Sequence, residues 1–390
     1  MHPSNAVSAA SHRDPYPYYR QLLAGPALHF DADLRLWIAS RTQVIQAVLD
    51  NPHCLVRPVA EPVPQAIAGS GAGAVFARLI RMNDGPAHAG PKHAIGQALA
   101  AFDPAAVAGI TGRLAATLEE RHGLADGAAI TQWIFDLPTC AVADLLGVGA
   151  VELPQVARWV ADFVRCLSPL STPEQLAEAS AAARTLNQRF AELVQSGTLK
   201  SGTLLDEVCR QAAKAGWTGQ EAIVANVVGL LSQTHEATAG LIGNAVVALL
   251  SQPRLEERLR ADPALAAALV REVARFDPPV QNTRRFVAHT TTIAGVTLRP
   301  GDAVLLLLAA AGRDEEAYPQ PDEFLLKRSD RPPLGFGHGR HACPGQDLAC
   351  AIATAAIRHL LALPVALGRS GFNWDYRPSA NARLPQFHNS

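Results

Sequence analysis

From about residue 104 to residue 275, apolar positions, most of them Ala and Leu, recur at the three-to-four residue spacing of a helix, with only occasional proline. That pattern predicts stacked long helices. The β signal is confined to a few places. Residues 286–308 predict a small meander, with Ile293, Val296 and Leu298 beside Gly295, then the turn Arg299-Pro300-Gly301-Asp302 before the apolar run Ala303 to Leu308. After Pro364 the chain is rich in Gly, Pro and aromatic residues and predicts irregular or β structure. The expected fold class is therefore mainly α with a small β region, α+β. No repeat, low-complexity linker or long charge block interrupts the chain, so a single domain over 1–390 is expected.

Two helices can be drawn with their ends. Thr218-Gly219-Gln220-Glu221 has the pattern of a capping box, and no proline follows until Pro253. An uninterrupted central helix over about 218–251 would be about 50 Å long and would cross the whole molecule. A second helix is expected from Asp262-Pro263, an N-cap followed by proline at the first helical position, to Phe276-Asp277-Pro278-Pro279. Glu272 and Arg275 share one face near its end. Gly69-Ser70-Gly71-Ala72-Gly73 suggests a phosphate cradle, but no strand precedes it and no Lys-Ser or Lys-Thr pair follows, so it is read as a flexible loop over a substrate pocket.

Charge narrows the function. Lys and Arg total 34 against 35 Asp and Glu, a net −1, which gives no support to wrapping nucleic acid or to electrostatic membrane anchoring. Charged residues are 18% of the chain, below the roughly 25% of an average domain, while 48% are apolar, so much of it must be buried. The first residues lack a basic segment leading into an apolar core, and the longest apolar runs fall short of the ~20 residues of a bilayer span. A cytoplasmic protein is expected. Six cysteines are scattered without a Cys-x-x-Cys pair, which argues against a disulfide scaffold and against a zinc ribbon.

The most specific segment is Phe336-Gly337-His338-Gly339-Arg340-His341-Ala342-Cys343-Pro344-Gly345. Its glycines let the backbone pass close to something flat or bulky, and Pro344 is suited to open the amphipathic helix through Leu348, Ile352, Ile357 and Leu360. Cys343 would then sit at a helix N-terminus, where the macrodipole and free N–H groups favour a thiolate. A thiolate there is a metal ligand or a nucleophile, and the bland alternative is a buried structural cysteine beside a turn. Zinc held by His338, His341 and Cys343 would lack a fourth ligand at a familiar spacing.

This loop resembles the haem-binding loop of the cytochrome P-450 superfamily, Phe-Gly-x-Gly-x-(His or Arg)-x-Cys-x-Gly, with every fixed position matched. The resemblance implies a prism-like, mostly helical fold and a b-type haem (iron protoporphyrin IX), with Cys343 as the proximal thiolate ligand of the iron. It assigns His341 to a haem propionate and has Phe336 and Gly337 beside the thiolate. Asp14-Pro15-Tyr16-Pro17-Tyr18 looks like the start of the family's first helix, and Glu272-x-x-Arg275 like its Glu-x-x-Arg pair, which locks the core under the haem. Arg285, or its neighbour Arg284, matches a propionate-binding arginine. Met82 to His88 resembles the Asp-Pro-Pro-x-His run, so His88 and Lys92 would face a propionate, with Lys92 where the family has arginine; a lysine supplies charge without the bidentate fork. Solvated helix polars are the alternative for both.

The central helix departs from the family. Its usual Ala-Gly-x-acid-Thr reads Gln233-Thr234-His235-Glu236-Ala237, followed by Thr238. The resemblance makes Glu236 the proton-delivering acid and Ala237 the replacement of its partner alcohol. Polar groups in an apolar helix are costly to bury unless paired or used. Thr234 and Thr238 could instead bond to carbonyls four residues back, which leaves Gln233 and Glu236 unexplained. Three chemistries remain open: monooxygenation with protons routed through water and a substrate hydroxyl; oxidative coupling or desaturation without oxygen insertion; and, less supported because this helix lacks the Arg-Pro pair typical of fatty-acid peroxygenases, a peroxide shunt. A non-catalytic haem sensor or carrier is the rival from another class, and it needs no Glu236.

The implied partners are a medium-sized organic substrate of secondary metabolism, O2, and ferredoxin with its reductase, since no flavin or nicotinamide fingerprint is present. Ferredoxin is expected on the Cys343 face, near Arg340, Lys92 and Arg358, and a monomer is expected. The pocket walls expected are residues 55–82, 157–200, 233–238, 279–283 and 380–384, with Gln233, Gln281 and Asn282 as hydrogen-bond donors.

Overall fold

The computed structural model of the chain describes residues 3–195, 199–328, 332–364, 367 and 371–389. Its helices are α1 (Tyr16–Ala24), α2 (Thr42–Asp50), α3 (Gly71–Arg78), α4 (Pro86–Ala100), α5 (Pro104–His122), α6 (Gly127–Leu145), α7 (Leu153–Val164), α8 (Pro173–Gln195), α9 (Leu204–Lys214), α10 (Gln220–Ser251), α11 (Pro253–Ala261), α12 (Ala266–Phe276), α13 (Leu308–Ala311) and α14 (Gln346–Ala362). The strands are β1 (Leu28–Asp31), β2 (Leu36–Ala39), β3 (Cys54–Leu55), β4 (Thr283–Val287), β5 (Thr291–Ile293), β6 (Val296–Leu298), β7 (Ala303–Leu306), β8 (Phe372–Tyr376) and β9 (Pro385–Asn389). The mainly helical class and the long Ala/Leu-rich helices are as the pattern predicted.

The central helix α10 has 32 residues, about 48 Å at the α-helical rise. It packs against α3, α6, α7, α8, α12 and α14, so most of its positions are buried. The expected capping box does not form: the N-cap is Gly219, at φ 105° and without a side-chain cap bond. Glu221, which would have closed the box, instead takes Arg78 Nη2 at 2.6 Å. Asp262 does cap, accepting Ala264 N–H, but over a short 3-10 turn, Pro263–Leu265, before α12 begins.

The β structure is wider than the pattern suggested. A five-stranded sheet runs in the order β1-β2-β7-β4-β3, with β2 parallel to β7 and β7 antiparallel to β4. The expected meander is divided: β5 and β6 form their own hairpin, turning at Ala294 and Gly295 with φ 49° and 77°, while β4 and β7 join the sheet. The N-terminal strands complete it, and Tyr19, Ile38 and Leu305 form an apolar cluster behind it. The C-terminal stretch folds as the antiparallel pair β8-β9.

The stretch Gly69–Gly73 is a turn at Gly69 that leads through the N-cap Ser70 into the first turn of α3, and not a flexible loop throughout. Ser70 caps that helix through Gly73 N–H, and a Cβ on Gly73 would lie 2.1 Å from Ile67 O. Among the described residues no single helix is long and apolar enough to cross a membrane; α4 and α5 together pass by length and composition, bent by 74°.

Candidate functional site

The Cys343 loop is held from three sides. Gly337 and Gly339 adopt positive φ, 77° and 61°, and a Cβ on Gly339 would stand 2.4 Å from Asp50 Oδ1 at the end of α2. His338 reaches Asp50 at 3.1 Å, while Arg340 donates to the carbonyls of Asp50, Asn51 and Cys54 at 3.2, 2.9 and 3.0 Å. From α4, Lys92 Nζ donates to Arg340 O at 2.5 Å and to Ala342 O at 2.6 Å. The loop closes on itself through Cys343 N–H to Phe336 O at 2.8 Å. Pro344 lies in a turn and α14 starts at Gln346, two residues later than expected.

Cys343 is the only one of the six cysteines with an exposed side chain. Close packing around the sulfur pushes its thiol up, against the Gly345 N–H and the Lys92 charge, which pull it down. The expected thiolate at a helix N-terminus is therefore reversed in the free protein, because burial outweighs one N–H and one cation. A coordinating metal deprotonates a thiol outright.

Beside the loop, strand alternation separates the two arginine candidates, with Arg284 exposed and Arg285 buried. Arg285 Nη1 donates to Arg284 O at 2.8 Å, yet its Nε is buried without a partner. Burial pulls its guanidinium down to about 10, and Asp84 only partly offsets this. His341 Nε2 meets Asp84 Oδ1 at 3.0 Å, and the His341 ring lies 4.1 Å from that of buried His88, tilted by 38°. Burial and the neighbouring His341 charge lower His88 to about 4, so it is neutral. An exposed cysteine, a buried guanidinium with an unpartnered Nε and a loop whose glycines exclude side chains fit a thiolate-ligated haem with carboxylate groups. Lys92, the other expected propionate contact, is engaged with the loop carbonyls. Among the described residues no cluster of three or more His, Cys, Asp or Glu could hold a metal ion, which leaves the zinc alternative without a ligand set.

One face of α10 carries the other half of the site. Leu230, Gln233, Thr234 and Ala237, at helical spacing, are exposed or half-buried, whereas Leu231, Ser232, His235 and Thr238 are buried. Gln233, and not the two threonines, bonds back along the helix, its Nε2 donating to Gly229 O at 2.8 Å. Glu236 is half-buried; burial raises its carboxyl pKa, and Arg377 and Arg81 lower it only in part. His235 Nδ1 meets Thr139 Oγ1 at 3.0 Å, and burial, aided by the Arg377 charge, lowers this histidine to about 3.

The expected walls 279–283 and 380–384 do meet α10. Arg383 N–H donates to Pro279 O at 2.7 Å, and Gln281 N–H to Asn381 O at 2.8 Å. A Cβ on Gly240 would come within 2.7 Å of Pro279 and 2.9 Å of Leu384, so the helix is small there to admit them. Of the wall 157–200, residues 196–198 lie outside the described residues. Gln281 and Asn282 are not pocket donors. Gln281, fully buried, is spanned by Tyr19 Oη at 3.1 Å and Pro278 O at 2.7 Å, and Asn282 donates to Ala380 O at 3.0 Å. Both hold backbone together. Arg81 and Arg377 were not anticipated as site residues; a lone arginine in mixed surroundings carries no local signal of what it will face.

Glu272 and Arg275 form more than a helix-face pair. Arg275 is 3% exposed, and its Nε and Nη2 grip Glu272 at 3.0 and 2.6 Å. Its remaining donors take the carbonyls of Gly312, Pro321 and Glu323 at 2.7, 2.8 and 2.9 Å, while Arg328 and Leu325 N–H complete Glu272 at 3.1 and 2.9 Å.

The chain is similar to known proteins. The cytochrome P-450 family model matches residues 181–362. A cytochrome P-450 monooxygenase PikC from Streptomyces venezuelae is 30% identical over 363 residues, 89% of this chain and 83% of that protein. A biotin biosynthesis cytochrome P-450 from Bacillus subtilis (strain 168) is 31% identical over 261 residues, covering 67% of this chain and 66% of its own length. The crystal structure of CalO2 superimposes with a TM-score of 0.81 at 29% identity, covering 100% of this chain and 98% of that one.

Proposed function

Because the chain belongs to the cytochrome P-450 family, whose members bind protoporphyrin IX haem, we propose that it is a haem-thiolate monooxygenase acting on a medium-sized organic substrate, with electrons from a ferredoxin and its reductase. A place in secondary metabolism and a cytoplasmic location are part of the proposal. The observation that carries it is the exposed residue Cys343 in a complete Phe-Gly-x-Gly-x-His-x-Cys-x-Gly loop beside a buried arginine whose Nε has no partner.

A haem bound there would supply dioxygen activation and the oxidation of the substrate. Around it the protein's own groups have separable tasks. Cys343 is presented by the Phe336 carbonyl and by the Lys92 clamp on the Arg340 and Ala342 carbonyls. Arg285 offers its free Nε to a carboxylate. Leu230, Thr234 and Ala237 offer a mostly apolar face to a guest, and Gln233 lies on the same face. Glu236, raised above the ordinary carboxyl range, can hold a proton at its carboxyl and release it. A non-catalytic haem carrier has no use for that acid. Ala237 supplies no hydroxyl to pass the proton on, so the relay runs through water or a substrate hydroxyl.

The missing hydroxyl also supports a second reading, in which the enzyme couples or desaturates its substrate without inserting oxygen. The reduced carbon monoxide difference spectrum tests the thiolate: the Soret band of thiolate ligation is expected in the native holoenzyme and its loss in Cys343→Ala. Turnover under ¹⁸O₂ separates the chemistries. Label in the product is the expected outcome, and unlabelled product formed at full yield selects coupling or desaturation.

A further inference from the structure

From Val224 to Val247, the residues of α10 that are not buried are Leu230, Gln233, Thr234, Glu236 and Ala237, and Gln233 alone among them is exposed. Helices pack against α10 along its length, so exposure near its midpoint is to an opening inside the fold. Gln233 is tied down at one end of its amide. The carbonyl one turn back, Gly229 O, can only accept, so the atom 2.8 Å from it is the nitrogen Nε2 and not the oxygen. A Cβ on Gly229 would stand 3.3 Å from that nitrogen and 2.8 Å from Leu79 Cδ2, so the amide and Leu79 close together over the bare glycine. Asn226 holds the same seam one turn earlier, its Oδ1 accepting Ile80 N–H at 2.8 Å and its Nδ2 donating to Arg78 O at 2.8 Å. The amide is thus fixed where α10 meets residues 79–82, at the junction of two of the expected pocket walls. Its Oε1, whose lone pairs the Gly229 carbonyl repels, has no hydrogen bond among the described residues. The expected role of Gln233 as a donor is thereby turned round: its nitrogen is spent on the helix, and an acceptor is offered outward.

We propose that Gln233 Oε1 is a specificity-determining acceptor, so that the substrate carries an uncharged O–H or N–H donor on the part that lies against this stretch of α10. A neutral amide oxygen balances no charge, which is why the donor is uncharged. Water satisfies such an oxygen in an empty site. A guest that displaces the water without offering a donor leaves the oxygen unpaired, and a site of this kind rejects the analogue that lacks the donor. Holding the amide by its nitrogen fixes the side chain before the guest arrives, which lowers the ordering cost of binding. The assignment rests on the reading that this face of α10 bounds the substrate.

The test is equilibrium dialysis of the holoenzyme against matched pairs with and without a donor: straight-chain alcohols and naphthols against their methyl ethers, and N-aryl acetamides against their N-methyl derivatives. In at least one pair the donor member is expected to bind about tenfold tighter, and the series in which it does so tells O–H from N–H. Gln233→Met keeps the length and removes the acceptor; it is expected to abolish the preference by weakening the donor member alone. Because the added methyl group is the same for both proteins, the change between them cancels its size. Thr234→Val, next on the same face, is expected to leave the preference intact. No preference in any pair, a preference intact in Gln233→Met, an equal loss for both members of the pair, or a loss confined to Thr234→Val each overturns the assignment. If Gln233→Met fails to hold haem, Gln233→Leu carries the same test. Dialysis counts bound ligand without reference to the haem spectrum. An intact thiolate band with no donor preference therefore defeats this assignment alone, and a lost band with the preference intact defeats the oxidase reading alone.

Discussion

Glu272 on α12 and Glu236 on α10 are carboxylates set into helices that pack against each other, each accompanied by two arginines, yet their surroundings are opposite. Around Glu272, both oxygens and every nitrogen of Arg275 have partners within 3.1 Å. Around Glu236 the charges sense one another without touching, and one guanidinium nitrogen is buried unsatisfied. A saturated network resists rearrangement, because removing any member strands the others in a low dielectric. An unsaturated one holds charged groups ready at a cost in stability, which persists only where something else arrives to use them. Identical residue types thus serve architecture in one place and chemistry in the other.

The largest test of the contrast is Glu272→Gln, which strands Arg275 and Arg328. It is expected to cost about 3–5 kcal/mol in denaturant unfolding, as when one member of a buried pair is removed. A loss below about 1 kcal/mol would erase the distinction. Glu236→Gln, by contrast, is expected to change stability by less than about 1 kcal/mol at neutral pH, and in the stabilising direction, because it deletes a desolvated charge that has no hydrogen bond to lose. Its pH signature sharpens this. A carboxyl raised in the fold binds its proton more tightly there than in the unfolded chain, so native stability falls as pH rises from the ordinary glutamate value of about 4.3 to the raised folded value. Glu236→Gln is expected to abolish that fall in unfolding midpoints measured across the acid range.

The smallest effect at neutral pH belongs to His235, packed among Thr139, Phe135 and the Arg377 charge, with Glu236 next in sequence. Its folded value of about 3 lies below that of the unfolded chain, about 6.5. Its contribution is complete above the unfolded value and is lost as pH falls toward about 3, opposite in sign to that of Glu236. His235→Gln is expected to flatten that acid-side loss and to leave the midpoint at neutral pH nearly unmoved.

The sequence made the first member of this comparison easier to read than the second. Glu272 and Arg275 stand three apart on one helix, and the loop Phe336 to Gly345 is contiguous, so a local pattern holds the whole signal. Helix α10 was legible for the same reason, because a proline-free stretch needs no distant partner. Strands β1 and β2 were not, since each has four residues and β2 finds its parallel partner β7 only by tertiary contact. Three glycines hid α3, whose Gly73 exists for the approach of Ile67 O rather than for a loop. Gln281 and Asn282 looked like donors to a guest, yet the carbonyls of Pro278 and Ala380 claim them first. Arg81 and Arg377 lie almost three hundred positions apart, and only folding brings their charges to one carboxylate.

Lys92 spans two carbonyls of the Cys343 loop and so joins α4 to it. In mechanical terms α4 is a lever whose short arm ends at the sulfur. The preceding segment carries Asp84, which also holds Val56 N–H and His341, so strain arriving at residues 56 or 84 is delivered to the thiol through rigid, charged links. An arginine spent on a single carboxylate would have left that transmission open.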